Sequence, residues 1–238
     1  MLTEGIYNTI ILILYFLVCS IYTDVVFVLD SSGSIGDDNY SKVLDFTRDF
    51  VSVLLDDSYR QNANDGMGSR VGIVLFSSSA KTYLLLNTSQ DLSRSSLVQL
   101  IEDIPYIGSS TNTADGLCHA LEQPWRDSLS VVRLVITLTD GRSNRVSDHC
   151  GNTTTAARLV HTNDPLLISY VIGVANIEFE ELLEIASAPE LVDYLESFNT
   201  DLLTAAQEAR TYQICFTSKN HLPISFVLYS FLILILCS

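Results

Sequence analysis

Basic side chains are scarce in this chain, which carries 13 Lys and Arg against 28 Asp and Glu and a net charge of −15 at pH 7. Proteins that bind nucleic acid contact phosphates through Lys and Arg, so this balance argues against a nucleic-acid partner. It suits cations or a basic partner, and it is equally compatible with acidity that only confers solubility.

The chain also lacks internal repeats and low-complexity linkers. Its 238 residues would allow two domains, but no break in composition divides the part between the two ends. We therefore expect one domain with one core.

Both ends of the chain are strongly apolar. Residues 10–18 form a run that is too short to cross a bilayer but fits a signal peptide, so we expect residues 1–20 to be a secretory signal, with a retained anchor as the alternative. Residues 222–238 carry no charge and resemble a lipid-anchor attachment signal; a transmembrane segment is the alternative. These ends predict export and membrane attachment through the C-terminal tail.

Between the ends, short apolar runs alternate with segments of helical period. The predicted strands are residues 24–30, 71–76, 80–86, 131–139, 166–173 and a short edge strand at 191–196. The predicted helices are residues 37–55, 92–104, 113–121, 154–161, 178–186 and 201–212. This alternation predicts an α/β fold with a mainly parallel six-stranded sheet covered on both faces. Only three serines separate the second and third strands, which predicts a hairpin and one antiparallel edge strand.

Oxygen-bearing side chains cluster where the first strand should end. Asp30, Ser32 and Ser34 follow the apolar residues 25–29 directly, and Gly33 is expected to let the turn bend tightly. One carboxylate and two hydroxyls are ligands that a hard divalent cation accepts.

Two further clusters are expected at the same edge of the sheet. Thr111 lies in a polar loop before a predicted helix, and Asp140 follows the strand at 131–139. Ligands of open α/β sheets bind outside the carboxyl ends of the strands, so the three loops are predicted to converge. The candidate metal ligands are Asp30, Ser32, Ser34, Thr111 and Asp140.

These three motifs resemble the metal-ion-dependent adhesion site (MIDAS) of the von Willebrand factor type A (vWA) domain. They are Asp-x-Ser-x-Ser at residues 30–34, Gly-x-x-Thr-Asn-Thr at residues 108–113, and Thr-Asp-Gly at residues 139–141. The resemblance extends over residues 24–213 and implies a Rossmann-like, three-layer, doubly wound fold.

The resemblance also implies a non-catalytic function, namely adhesion to an extracellular or cell-surface protein. Ser32, Ser34 and Thr111 would contact Mg²⁺, or Mn²⁺ or Ca²⁺, while Asp30 and Asp140 would act largely through water. The protein ligand would supply a carboxylate to the ion.

Two other functions stay open. One is a secreted matrix-assembly scaffold whose role is metal-independent, and the other is a hydrolase with Ser34 as nucleophile, although Ser34 lacks the Gly-x-Ser-x-Gly motif.

Five cysteines are present, at positions 19, 118, 150, 215 and 237. Export favours a disulfide between Cys118 and Cys150; free thiols and a zinc site with the adjacent His119 and His149 are the alternatives. A second disulfide, between Cys19 and Cys215, is implied only by the vWA resemblance, since several such domains join their two ends in this way.

Glycosylation sequons begin at Asn39, Asn87 and Asn152. Asn39 and Asn152 are expected near the metal-bearing edge, where glycans would restrict access, whereas Asn87 is expected away from it.

Overall fold

The computed structural model describes residues 23–55, 68–128 and 131–195, which form a six-stranded sheet and the helices that cover it. The strands are β1 (Thr23–Asp30), β2 (Arg70–Phe76), β3 (Ala80–Leu84), β4 (Val132–Thr139), β5 (Leu167–Gly173) and β6 (Val192–Tyr194). The helices are α1 (Asp37–Leu54), α2 (Arg94–Glu102), α3 (Thr113–Leu121), α4 (Thr153–Asn163) and α5 (Phe179–Ile185). Short 3₁₀ helices lie at Ser89–Asp91 and Pro189–Leu191.

The strand order is β3-β2-β1-β4-β5-β6. Every neighbouring pair is parallel except β2 and β3, because their short connection forces a hairpin. This confirms the predicted Rossmann-like fold with one antiparallel edge strand. The order changes direction between β1 and β4, and a crevice opens at such a switch point in sheets of this class.

Strands β1 and β2 are buried along their whole length. All eight residues of β1 and all seven of β2 are buried, because helices cover both faces of the sheet. Helix α1 packs its apolar face on this core, and the Phe27 and Phe50 rings meet edge to face with centroids 5.4 Å apart. Helix α2 packs against α1, and the other three helices form a second group in which α3 contacts α4 and α4 contacts α5.

The predicted element ends agree with the structure to within two residues. The largest differences have local causes. Strand β3 ends at Leu84 rather than at residue 86, because the Leu85 carbonyl accepts turn hydrogen bonds from the amides of Thr88 and Ser89. Helix α2 begins at Arg94 rather than at residue 92, because the Ser93 side chain caps it by accepting from the Ser96 amide.

Several predictions concern residues outside the described ranges. These are the signal peptide at 1–20, the helix at 201–212, the apolar tail at 222–238, and Cys19, Cys215 and Cys237. Within the described ranges, no helix has the length and apolar character needed to cross a membrane.

Candidate metal centre

Asp30 ends β1 and is fully buried. Its Oδ1 accepts a hydrogen bond from the Ser32 amide at 2.8 Å, and its Oδ2 accepts one from the Thr139 hydroxyl at 2.7 Å. Burial raises the pKa of Asp30 to about 7; the hydrogen bonds oppose this shift, and the nearby charge of Asp140 adds to it. A cation beside Asp30 would favour its charged form.

Asp140 lies at the same sheet edge, because β1 and β4 are neighbours and their register pairs Leu29 with Leu138. Its Oδ1 accepts a hydrogen bond from the Arg142 amide at 3.1 Å. Its Oδ2 is buried and has no hydrogen-bond partner among the described residues. Burial raises the pKa of Asp140, against the opposing effects of the Ser34 hydroxyl and Arg142. Arg142 Nε lies 3.9 Å from this oxygen, beyond hydrogen-bond reach. A buried carboxylate oxygen without a hydrogen bond is costly, so this atom is suited to bind a cation.

The hydroxyls of Ser32 and Ser34 lie 3.2 Å apart, with Ser32 buried and Ser34 exposed. The tight bend expected at Gly33 does not require a left-handed backbone, since Gly33 is not among the described glycines with positive φ. Its small size matters instead, because a Cβ at this position would lie 3.3 Å from the Gly108 carbonyl oxygen. The first loop therefore packs directly against the loop that carries Thr111.

Backbone hydrogen bonds join these two loops. The Gly33 amide donates to the Ser109 carbonyl at 2.7 Å, and the Gly108 amide donates to the Ser31 carbonyl at 2.8 Å. Thr111 follows Ser109 by two positions and is only 2% exposed. The structure thus places all five predicted ligands on three adjoining loops at one edge of the sheet.

Two supporting residues were missed by the sequence reasoning. Thr139 donates to Asp30 and accepts from the Gly141 amide at 3.2 Å, so it links the two acidic loops. Glu181 accepts from the Ser143 amide at 3.0 Å, and burial raises its pKa, with a further contribution from Asp140. Thr139 is part of the Thr-Asp-Gly motif, so the sequence contained a signal for it. No local sequence pattern indicates that Glu181 on α5 reaches this loop.

Cys118 and Cys150 form a disulfide with a Cα–Cα distance of 6.1 Å. It joins α3 to the loop before α4, and it is the favoured one of the three alternatives. Because the two sulfurs bond to each other, neither is free to bind zinc. The described residues also contain no group of three or more His, Cys, Asp or Glu that could hold a metal.

Asn39 and Asn152 lie near the sheet edge that carries the candidate ligands, and Asn87 lies away from it, as the sequence predicts. Asn39 lies in the first turn of α1, and Asn152 caps α4 by accepting from the Thr155 amide at 2.9 Å. Both helices start from loops at the edge that carries the candidate metal ligands. Asn87 is exposed and follows β3, which runs away from that edge.

A groove of about 1150 Å³ borders the Asp140 loop at Gly141 and Ser143. It continues between α3, α4 and α5 and is strongly acidic. Its acidic lining residues are Asp115, Asp148, Glu178, Glu180, Glu181 and Glu184.

Comparison with known proteins gives consistent matches. The family description "von Willebrand factor type A domain" fits residues 24–209. The human collagen alpha-6(VI) chain is 29% identical over 195 residues, which cover 81% of this chain and 8% of that one. The transmembrane cell adhesion receptor mua-3 of Caenorhabditis elegans is 29% identical over 199 residues, which cover 79% of this chain and 5% of the receptor.

Among solved structures, proximal thread matrix protein 1 from the mussel byssus, with a zinc-occupied MIDAS motif, matches with a TM-score of 0.62 and 26% identity. The match covers 80% of this chain and 46% of that protein. The chain therefore spans less than a tenth of the two curated relatives and about half of the mussel protein. These matches confirm the extracellular or cell-surface location that the sequence predicts.

Proposed function

The chain belongs to the von Willebrand factor type A domain family, and we propose that it binds a protein ligand through a divalent metal ion. Ser32, Ser34 and Thr111 would hold the ion, with Asp30 and Asp140 acting largely through water. The proposed ion is Mg²⁺, with Mn²⁺ or Ca²⁺ as alternatives, since oxygen ligands suit all three. Its positive charge would attract a carboxylate of the ligand.

The observation that carries this proposal is the buried Oδ2 of Asp140, which has no hydrogen-bond partner among the described residues. The raised pKa values of Asp30 and Asp140 support it, because both carboxylates are disfavoured as anions until a cation lies nearby. The zinc-occupied MIDAS of the mussel protein gives independent support for a divalent ion.

The partner we propose is a protein of the extracellular matrix or the cell surface. The acidic groove beside Asp140 disfavours a second acidic patch on this partner, so its carboxylate should project from a neutral or basic surface.

We further propose that the domain is not an enzyme. Supporting this, the Ser34 hydroxyl pairs with the Ser32 hydroxyl rather than with a histidine. Membrane attachment through residues 222–238 stays a prediction.

A matrix-assembly scaffold is the second candidate function. It is favoured by the match to a collagen chain and by the structural likeness to a thread matrix protein. In this case the domain would bind its neighbours without a metal ion.

Removal of the metal separates the two candidates. We expect Asp140→Ala to weaken Mg²⁺ binding in calorimetric titration by more than about tenfold, because it removes the buried carboxylate oxygen that lacks a hydrogen bond. Adhesion to an immobilised extracellular-matrix extract should fall with Asp140→Ala and with EDTA. Asp91→Ala, which removes an exposed acidic residue on the 3₁₀ helix, is the charge-matched control and should change neither. Adhesion that persists in EDTA would favour the scaffold.

A further inference from the structure

The loop that carries Thr111 is held by a second loop that follows Asp140. We call residues 143–146 the clamp segment. The Thr111 amide donates to Asn144 Oδ1 at 3.1 Å, and the Asn144 amide donates back to the Thr111 carbonyl at 3.0 Å. The Arg145 amide donates to the same carbonyl at 3.1 Å. Thr111 is thus bonded on both sides of its backbone.

The clamp segment also contacts the three residues beside Thr111. Arg145 Nε donates to the Ser110 hydroxyl at 2.5 Å, and Asn112 Nδ2 donates to the Val146 carbonyl at 3.2 Å. The Thr113 amide donates to the Ser143 hydroxyl at 3.4 Å. Four consecutive residues of one loop therefore bond to four consecutive residues of the other.

Contacts on either side anchor the clamp segment. The Ser143 amide donates to Glu181 on α5, and the Ser147 hydroxyl donates to Asp115 Oδ1 on α3 at 2.9 Å. The disulfide between Cys118 and Cys150 fixes the end of this loop to α3. The segment is consequently a fixed support even though Asn144 and Arg145 are exposed.

We propose that Asn144 is a positioning residue for the metal centre, acting by holding Thr111 in place. The inference rests on the proposed function, in which Thr111 is a metal ligand. Ser77 already holds the flanking residues, since its hydroxyl donates to the Ser110 carbonyl and its carbonyl accepts from the Asn112 amide. Asn144 supplies what Ser77 does not, a side-chain acceptor for the amide of Thr111 itself. Thr111 is buried, so its amide depends on the Asn144 side chain for a hydrogen bond.

The test is Asn144→Ala in the whole chain, produced without glycans and titrated with Mg²⁺ and Mn²⁺. We expect about tenfold weaker binding of both ions, as is usual when a residue that orients a ligand is lost. The melting temperature in EDTA should fall by a few degrees at most, because a single hydrogen bond made by an exposed side chain is lost. Hydrogen exchange at the Thr111 amide in EDTA should become faster.

Ser93→Ala is the matched control. Its side chain also accepts one backbone amide, from Ser96, but it caps α2 after β3 has run away from the metal-bearing edge. It should lower the melting temperature slightly and leave metal affinity unchanged. Equal metal affinity in wild type and Asn144→Ala would overturn the proposal, as would an equal loss in Ser93→Ala. If the wild type binds neither ion, the proposed function fails instead, and unchanged exchange at Thr111 would then reject the role of Asn144 separately.

Discussion

Asp30, a proposed metal-site residue, lowers the stability of the domain. It is fully buried at the end of a central strand, where its charged form is disfavoured and its pKa rises to about 7. Its two hydrogen bonds fix its orientation without removing that cost. Residues that a function requires commonly destabilise the fold in this way.

Replacing Asp30 with Asn should therefore separate stability from metal binding. The amide oxygen can still accept from the Ser32 amide, and the Thr139 hydroxyl can rotate to accept from the new NH₂ group. At pH 8 in EDTA we expect Asp30→Asn to unfold at the same urea concentration as the wild type or a higher one, with a gain of up to about 4 kcal/mol. Mg²⁺ binding should be lost. A clear loss of stability combined with normal Mg²⁺ affinity would contradict this account.

At the scale of residues, the sequence predicts the ligands but not their supports. Asp30, Ser32 and Ser34 are adjacent in the chain, and the strand before them defines where they lie. Asn144 and Glu181 contact residues that are 33 and 38 positions away. Such contacts depend on how loops from different strands meet, and hydrophobic periodicity carries no information about that.

At the scale of elements, helix α5 closes the site from one side because Gly141 leaves it room. Gly141 has a φ of +72°, and a Cβ there would lie 2.6 Å from the Glu178 carbonyl oxygen and would also collide with Leu182 Cδ1. The Glu178 amide donates to the Asp140 carbonyl at 2.7 Å, so the start of α5 is bonded directly to this loop.

Gly141→Ala should consequently be far more harmful than the same change at Gly36. Both glycines have positive φ, but a Cβ at Gly36 would meet nothing within 4 Å. Gly36 has φ +76° and ψ +153°, a region essentially limited to glycine, so we expect Gly36→Ala to cost about 1–3 kcal/mol from backbone strain alone. Gly141→Ala should cost about 2 kcal/mol more, because the added methyl also displaces α5. Urea denaturation of both variants measures the difference, and equal losses would show that α5 adjusts freely.

At the scale of the whole molecule, the fold was predictable because its sheet is covered on both faces. The central strands become continuous apolar runs, and the short link between β2 and β3 allows only a hairpin. The exact element ends were less predictable. They depend on single turn and cap hydrogen bonds, such as those at Leu85 and Ser93.

The end of the sheet opposite the metal site is held by a buried ion cluster. Asp24 accepts from Arg70 Nε at 2.8 Å and from Arg126 Nε at 2.9 Å, and it also accepts from the Arg126 amide at 3.0 Å. The cluster connects the starts of β1 and β2 to the segment after α3. Asp24 and Asp30 are six positions apart in β1, a distance of about 20 Å in an extended strand. The stabilising ion cluster and the proposed metal site thus lie at opposite ends of one strand.

Asp24→Asn should destabilise the domain in a pH-dependent manner while leaving the metal site intact. Burial alone would raise the pKa of Asp24, but the hydrogen bonds from Arg70 and Arg126 hold it below its usual value. A lowered pKa in the folded state stabilises the protein above the unfolded pKa of about 4, and this contribution disappears as the pH falls through the lower folded value. At pH 7 we expect Asp24→Asn to cost about 3–5 kcal/mol, since it removes the anion that pairs with the buried Arg70 and the half-buried Arg126. Urea denaturation in EDTA between pH 7 and pH 3 should show that the difference in unfolding free energy between variant and wild type becomes smaller as the pH falls.

Mg²⁺ affinity at pH 7, measured below the melting temperature of the variant, should be unchanged. A constant gap across this range would mean that the charge of Asp24 is not what stabilises the sheet.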